Sequence, residues 1–133
     1  MARILVVEDD VLLRYILAEW LRTDGYDVVE AASADEAASV LSSVIEVDLV
    51  ITDVETPGSI DGLELADHIR ETSPALPVIA VSGAALSNRP RIATVAAYFP
   101  KPYDLGRLSE CIVSLLGSAK VPAGERKGAF GYK

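Results

Sequence analysis

The chain has 133 residues and a net charge of −8, and half of its residues are hydrophobic. This length fits one domain whose core is large enough to fold without disulfides or a structural metal. The chain has one cysteine and one histidine, which excludes an internal disulfide and a zinc site built on several such ligands. Residues 1–116 carry −11, which disfavours direct binding to nucleic acid. The apolar run at residues 4–7 is too short for a signal peptide, and the longest uncharged stretch holds two prolines and a glycine. We therefore expect a cytoplasmic protein that does not enter the membrane.

Hydrophobic patterning predicts strands that alternate with helices along residues 3–116. The predicted strands are residues 3–7, 27–30, 48–52, 77–81 and 97–99. The predicted helices are residues 11–22, 34–42, 63–71 and 105–116, with a weak one between residues 82 and 98. Residues 27–30 are brief and partly polar, which indicates an edge strand. Ser33 and Glu36 have the spacing of a capping box, and Asp104 is expected to cap the last helix.

This alternation predicts an α/β fold, because strands joined through helices make right-handed crossovers in a parallel sheet. We expect a doubly wound five-stranded parallel sheet with helices on both faces, in the flavodoxin-like order 2-1-3-4-5. The predicted domain spans residues 1–117. Residues 118–133 are rich in Gly, Ala and Lys without an apolar period, and we expect a disordered tail there.

Chemically useful side chains follow the predicted strands. Glu8 and Asp9 follow strand one, Asp53 follows strand three, Ser82 follows strand four and Lys101 follows strand five. The carboxyl ends of parallel strands share one crevice, so these groups are expected to meet there. Two carboxylates about 5 Å apart repel by roughly 3 kcal/mol at an effective dielectric constant near 20. One lysine cannot neutralise three carboxylates, whereas Mg²⁺ can, and it prefers oxygen ligands.

A carboxylate nucleophile, a divalent metal, a cation and a hydroxyl are the components of phosphoryl transfer. The chain also resembles response regulator receiver domains over residues 3 to about 116. The matching segments are Ile4-Leu5-Val6-Val7-Glu8-Asp9-Asp10, Asp53 with Pro57 and Asp61-Gly62-Leu63-Glu64-Leu65, Val81-Ser82-Gly83, and Lys101-Pro102.

The resemblance implies a signalling switch, with Asp53 as the phosphoacceptor. It implies that Asp9 and Asp53 hold Mg²⁺, together with Glu8 and the backbone carbonyl of Glu55. It further implies that Lys101 and Ser82 contact the phosphoryl oxygens, that Tyr98 is the switch aromatic, and that the Lys101–Pro102 peptide bond is cis. The implied donor is a sensor histidine kinase or a histidine phosphotransfer protein, and the readout is a further, unidentified protein. No enzyme activity is expected beyond self-phosphorylation and slow autodephosphorylation.

Two departures from the usual receiver pattern stand out. The loop from Asp53 to Gly62 is one residue longer than usual and carries Thr56 where an apolar residue is common. The span from Ser82 to Lys101 is a few residues short. Its residues 83–95 are expected to be mobile before phosphorylation and ordered after it.

Two other functions compete with the switch. A Mg²⁺-dependent aspartyl phosphatase places its nucleophile after strand one in an Asp-x-Asp motif, which residues 8–10 do not match. A phosphorylation-independent interaction module has no need of Asp53, Asp9 and Lys101 together. Ordinary structural roles are expected for four further residues: Asp10 as a helix cap, His68 as a solvated surface residue, Cys111 as half-buried, and Trp20 as a packing residue.

Overall fold

The computed structural model describes residues 1–83 and 94–117, which form five strands and four α-helices. The strands are β1 (Arg3–Val7), β2 (Asp27–Ala31), β3 (Leu49–Asp53), β4 (Val78–Ser82) and β5 (Ala97–Pro100). The helices are α1 (Val11–Thr23), α2 (Ala34–Leu41), α3 (Gly62–Thr72) and α4 (Leu105–Leu116). The short helix and most of the mobile segment predicted between β4 and β5, and the predicted tail, fall on residues outside the described ranges.

All strand pairs are parallel, and the sheet has the order β2-β1-β3-β4-β5. The predicted fold class and strand order are therefore confirmed, and β2 lies at an edge as its polar residues indicated. Val7 pairs with Thr52, Asp53 pairs with Val81, and Ser82 pairs with Pro100. This register brings the carboxyl ends of four strands to one edge of the sheet.

The core has one layer on each face of the sheet. Ile4 and Val6 of β1 pack into the layer under α1 and α4, whereas Leu5 and Val7 pack into the layer under α2 and α3. This alternation follows from the two-residue period of a strand, and it explains why β1 is an uninterrupted apolar run. The helices contribute Leu17, Leu21, Leu108 and Ile112 to the first layer and Ala34, Ala37, Leu65 and Ile69 to the second.

Side-chain caps define the starts of the helices. Asp10 accepts a hydrogen bond from the Leu13 amide, as predicted, and Asp104 accepts one from the Arg107 amide. Ser33 caps α2, but the Glu36 carboxylate binds the Ala32 amide, so the predicted capping box forms only in part. A complete box instead starts α3, where Asp61 and Glu64 bind each other's backbone amides.

Helix α1 exposes much of its apolar surface. Helical spacing predicts that α1 buries a stripe of five apolar residues, Leu13, Ile16, Leu17, Trp20 and Leu21. Of these, only Leu17 and Leu21 are buried, together with the neighbouring Ala18. The apolar face of α1 is defined here as Val11, Leu12, Leu13, Tyr15 and Ile16, which are all exposed. Val11 is 69% exposed, Leu12 64% and Tyr15 59%. In the described ranges no helix has the length and apolarity needed to span a membrane.

Candidate functional site

Three carboxylates meet at the carboxyl edge of the sheet. Glu8 and Asp9 follow β1, Asp53 ends β3, and one oxygen from each lies within 4.8 Å of the other two. Glu8 and Asp53 are 5% and 6% exposed, while Asp9 is exposed. The cluster is thus buried at its base and open to solvent on the Asp9 side.

Lys101 lies across the base of this cluster. Its Nζ is 2.8 Å from Glu8 Oε1 and 2.8 Å from Asp53 Oδ2. Burial alone would lower the pKa of Lys101, but the hydrogen bonds to Asp53 and Glu8 outweigh it, and the pKa lies above its ordinary value. Lys101 is therefore a fixed positive charge at neutral pH, in contact with two of the three carboxylates.

The Glu8 carboxylate is less stable in its ionised form than an ordinary exposed glutamate. Burial raises the pKa of Glu8 above its ordinary value, and the hydrogen bonds from Lys101 and from the Asp10 amide only partly offset this. Three carboxylates against one ammonium leave an excess of negative charge. Mg²⁺ prefers oxygen ligands and usually keeps several water molecules. Three carboxylates with one side open to solvent meet both requirements. The residues present therefore fit a divalent cation held by Glu8, Asp9 and Asp53.

The loop after β3 holds the Asp53 carboxylate. The Glu55 amide donates to Asp53 Oδ1 at 3.1 Å, and the Gly62 amide closes the loop on the Val54 carbonyl at 2.8 Å. A Cβ on Gly62 would overlap the carbonyl of Asp53, so only glycine fits where α3 starts against β3. Glu55 itself is exposed.

The remaining predicted residues flank this cluster. Ser82 is fully buried at the end of β4, and its carbonyl accepts the Lys101 amide at 2.8 Å. Tyr98 is partly buried in β5 and packs against the cluster of Val54, Leu63 and Ala80. The Lys101–Pro102 bond is cis, as predicted.

Sequence reasoning missed two neighbours of the cluster. Arg14 donates from Nη1 to the Glu8 carbonyl at 2.8 Å and from Nε to Glu30 at 3.2 Å, which ties the start of α1 to β2. An arginine on a helix carries no sequence signal for this contact. Tyr103 is the other neighbour, and burial together with the charge of Glu8 raises its pKa. Beside Lys101, a cleft of about 350 Å³ lies between α1 and the segment after β5.

Comparison with known proteins agrees with this geometry. Residues 4–113 match the family model of the response regulator receiver domain. The chain therefore belongs to the receiver domains of two-component signalling, a family of signalling switches.

Two of the curated relatives that the chain matches are longer than the chain itself. The chain is 37% identical over 112 residues to the transcriptional regulatory protein PdtaR of Mycobacterium tuberculosis, an alignment that covers 83% of this chain and 54% of that protein. It is 36% identical over 119 residues to the sensor kinase CckA of Brucella abortus, covering 86% of this chain and 12% of the kinase. The chain thus spans about half or less of these relatives.

Among solved structures, the response regulator TrrA of Thermotoga maritima, in complex with Mg²⁺-BeF, is 33% identical with a TM-score of 0.80. That match covers 87% of this chain and all of TrrA.

Proposed function

We propose that this chain is a switch that accepts a phosphoryl group on Asp53 in a Mg²⁺-dependent reaction and signals through protein partners. The observation that carries the proposal is the contact of Lys101 Nζ with both Asp53 and Glu8, next to an Asp9 carboxylate that faces solvent. This arrangement presents a nucleophilic carboxylate between a fixed cation and a metal-binding face.

The Mg²⁺ ligands would be Asp9 and Asp53, with Glu8 acting directly or through water and Glu55 through its carbonyl. Bound there, Mg²⁺ would neutralise phosphoryl oxygens and the excess charge of the cluster. The complex of TrrA with Mg²⁺-BeF supports this proposal, because that related receiver binds the metal together with a fluoride complex of beryllium.

In the transfer, a carboxylate oxygen of Asp53 forms a bond to phosphorus as the bond from phosphorus to the donor's imidazole nitrogen breaks. The departing imidazole keeps the electron pair of that bond. Lys101 is positioned to pair with phosphoryl charge, since its ammonium already lies 2.8 Å from Asp53 Oδ2. Ser82 would bind a second phosphoryl oxygen, and Tyr98 would move with it as the switch aromatic. Both lie on strands that adjoin at the site, β4 and β5.

The donor would be a phosphohistidine on a sensor kinase or phosphotransfer protein. The apolar face of α1 supports a protein donor, because it begins two residues after Asp9 and is exposed to solvent. The acidic sequence argues against nucleic acid as the partner, and a cytoplasmic location suits a kinase partner. The downstream protein is a separate partner of the phosphorylated form.

Phosphorylation of the purified chain tests the acceptor. Incubation with acetyl phosphate and Mg²⁺ should add one phosphoryl group, detected by intact-mass spectrometry. Asp53→Ala should abolish the addition, whereas Glu71→Ala, an exposed acidic position on α3, should leave it intact. A full mass shift on Asp53→Ala would refute the assignment.

Thermal unfolding tests the metal. A ligand that binds only the native state raises stability by mass action, so millimolar Mg²⁺ should raise the melting temperature. Asp9→Ala should remove most of that rise. Equal stability with and without Mg²⁺ would contradict a metal site, and multiple turnovers of a free phosphoester would support the phosphatase alternative.

A further inference from the structure

The loop at residues 54–61 joins β3 to α3. It starts beside Asp53 and contacts the neighbouring helix α2. Its base is closed by the Gly62–Val54 hydrogen bond, and its third residue from Asp53, Thr56, already lies at α2, where Thr56 Oγ1 accepts the Ala34 amide at 3.3 Å. The same hydroxyl donates to the Ile60 carbonyl at 3.3 Å. Thr56, which departs from the usual receiver pattern, therefore joins both limbs of the loop to α2.

Asp35, in the first turn of α2, holds the tip of this loop. Its Oδ2 accepts the Ser59 amide at 2.9 Å, and its Oδ1 accepts the Ser59 hydroxyl at 2.8 Å. Gly58 has φ of +114°, and a Cβ there would overlap the Asp35 carboxylate. The hydrogen bond from the Ser59 amide, followed by that from its hydroxyl, lowers the pKa of Asp35 below its ordinary value. Asp35 is therefore ionised at neutral pH and binds Ser59 with both of its oxygens.

This contact matters because the tip is a glycine–serine pair in a loop that is one residue longer than is typical of receivers. Glycine has more conformational freedom than any other residue type, so without a restraint on Gly58 and Ser59 the loop could adopt several paths. Glu55 lies within the same loop, between Asp53 and Thr56. Mg²⁺ demands near-ideal octahedral geometry, so the position of each ligand strongly affects its affinity.

Building on the function proposed above, we propose that Asp35 is a positioning residue for the acidic site. By holding Ser59, it fixes the loop in the path that directs the Glu55 carbonyl to the Mg²⁺ face. The hydrogen bonds between Asp35 and Ser59 join the first turn of α2 to a surface loop and are exposed to solvent, so their effect is on local order and metal affinity rather than on global stability.

Titration calorimetry with Mg²⁺ alone tests this proposal. Asp35→Ala should weaken Mg²⁺ binding by about three- to tenfold, which is at or below the low end of the roughly tenfold to hundredfold that supporting contacts around metal sites contribute. Asp35→Asn keeps one acceptor oxygen and should fall between Asp35→Ala and the wild type. Glu36→Ala is the matched control, because it removes the same charge from the same turn of α2 but from a carboxylate that binds Ala32 rather than the loop.

Two further readouts separate positioning from general destabilisation. Amide hydrogen exchange in residues 55–61 should accelerate in Asp35→Ala and stay unchanged in Glu36→Ala. Phosphorylation by acetyl phosphate should need more Mg²⁺ in Asp35→Ala but reach the wild-type rate when Mg²⁺ saturates.

The failures are distinguishable. If the wild type binds Mg²⁺ and accepts a phosphoryl group but Asp35→Ala binds Mg²⁺ as Glu36→Ala does, the positioning role is overturned and the proposed function stands. If the wild type binds no Mg²⁺, both proposals are overturned.

Discussion

Trp20 of α1 donates a hydrogen bond from Nε1 to Ser109 Oγ of α4 at 2.8 Å, across 89 residues of sequence. Ser109 Oγ in turn donates a hydrogen bond to Asp24 Oδ2 at 3.2 Å. Ser109 and Asp24 are 7% and 3% exposed, whereas Trp20 is 36% exposed. Trp20, which the sequence predicted as a packing residue, is thus part of a polar link between the end of α1 and the middle of α4.

Ser109→Ala should lower the free energy of unfolding by about 1–2 kcal/mol, because it removes two hydrogen bonds, one of them to a buried carboxylate. Urea unfolding followed by Trp20 fluorescence measures this, and the native emission should shift as the indole N–H loses its partner. Ser114→Ala, at an exposed position of the same helix, should change the free energy by less than about 0.5 kcal/mol. Equal effects of the two substitutions would show that the link contributes nothing.

Lys101→Ala should lower stability in Mg²⁺-free buffer by about 2–4 kcal/mol, since it leaves the Glu8 and Asp53 carboxylates without their shared cation. Mg²⁺ should then raise the melting temperature more in Lys101→Ala than in the wild type, because the variant has more negative charge to neutralise. Phosphorylation of Asp53 should fall sharply at every Mg²⁺ concentration. A smaller Mg²⁺ effect in the variant would contradict this charge balance.

The ion pairs of Lys101 also define a pH dependence. Because the folded-state pKa of Lys101 is raised, their contribution to stability is fully present below the ordinary lysine pKa of 10.5 and is lost as the pH rises through the folded-state value. Chemical unfolding from pH 7 to 9 should therefore show no loss of stability from this group.

Leu12→Glu should reduce phosphoryl transfer from a cognate kinase or phosphotransfer protein by about tenfold or more, because it puts a charge in the apolar face of α1. Leu12 is 64% exposed, so the fold should tolerate the change. Phosphorylation by acetyl phosphate should stay at the wild-type rate. Val44→Glu, at a 98% exposed position before β3 and away from the acidic site, is the control that should affect neither reaction. Unimpaired transfer from the protein donor to Leu12→Glu would place the docking surface elsewhere.

Gly62→Ala should lower the free energy of unfolding by about 1–3 kcal/mol, because its Cβ overlaps the backbone of Asp53 and the strand or the helix must shift. The shift should also slow phosphorylation, since Asp53 is the residue displaced. Gly106→Ala, near the start of α4, meets only the side chain of Asp104 and should leave stability unchanged or raise it by up to about 1 kcal/mol. Denaturant titrations of both variants check the opposite signs.

Most of the fold was predictable from the sequence because local rules agree along the chain. The apolar runs of β1, β3 and β4 are each buried across nearly their whole length, and the helix caps Asp10 and Asp104 have strong local preferences. The site could be assembled from the positions of Glu8, Asp53 and Lys101, because each comes at or just after the carboxyl end of a strand in a parallel sheet.

What the sequence did not predict depends on contacts between distant segments. Leu13 and Ile16 are exposed because α1 contacts the sheet along a narrow strip. Helical periodicity does not determine the width of that contact. The Asp35–Ser59 and Trp20–Ser109 pairs join residues with no shared motif. Such pairs appear only once the backbone has brought two elements together.

The two outer strands of the sheet are poorly suited to pairing with another chain. In β2, Asp27 pairs with Arg3 at 2.7 Å, and Glu30 contacts both Arg14 and Arg22. At the other edge, β5 is only four residues long and ends at Pro100, which has no amide hydrogen to donate. Short, charged or proline-terminated edges are poor templates for backbone pairing with another chain. The sheet is thereby protected against growth by strand addition, an aggregation hazard for any protein with open sheet edges.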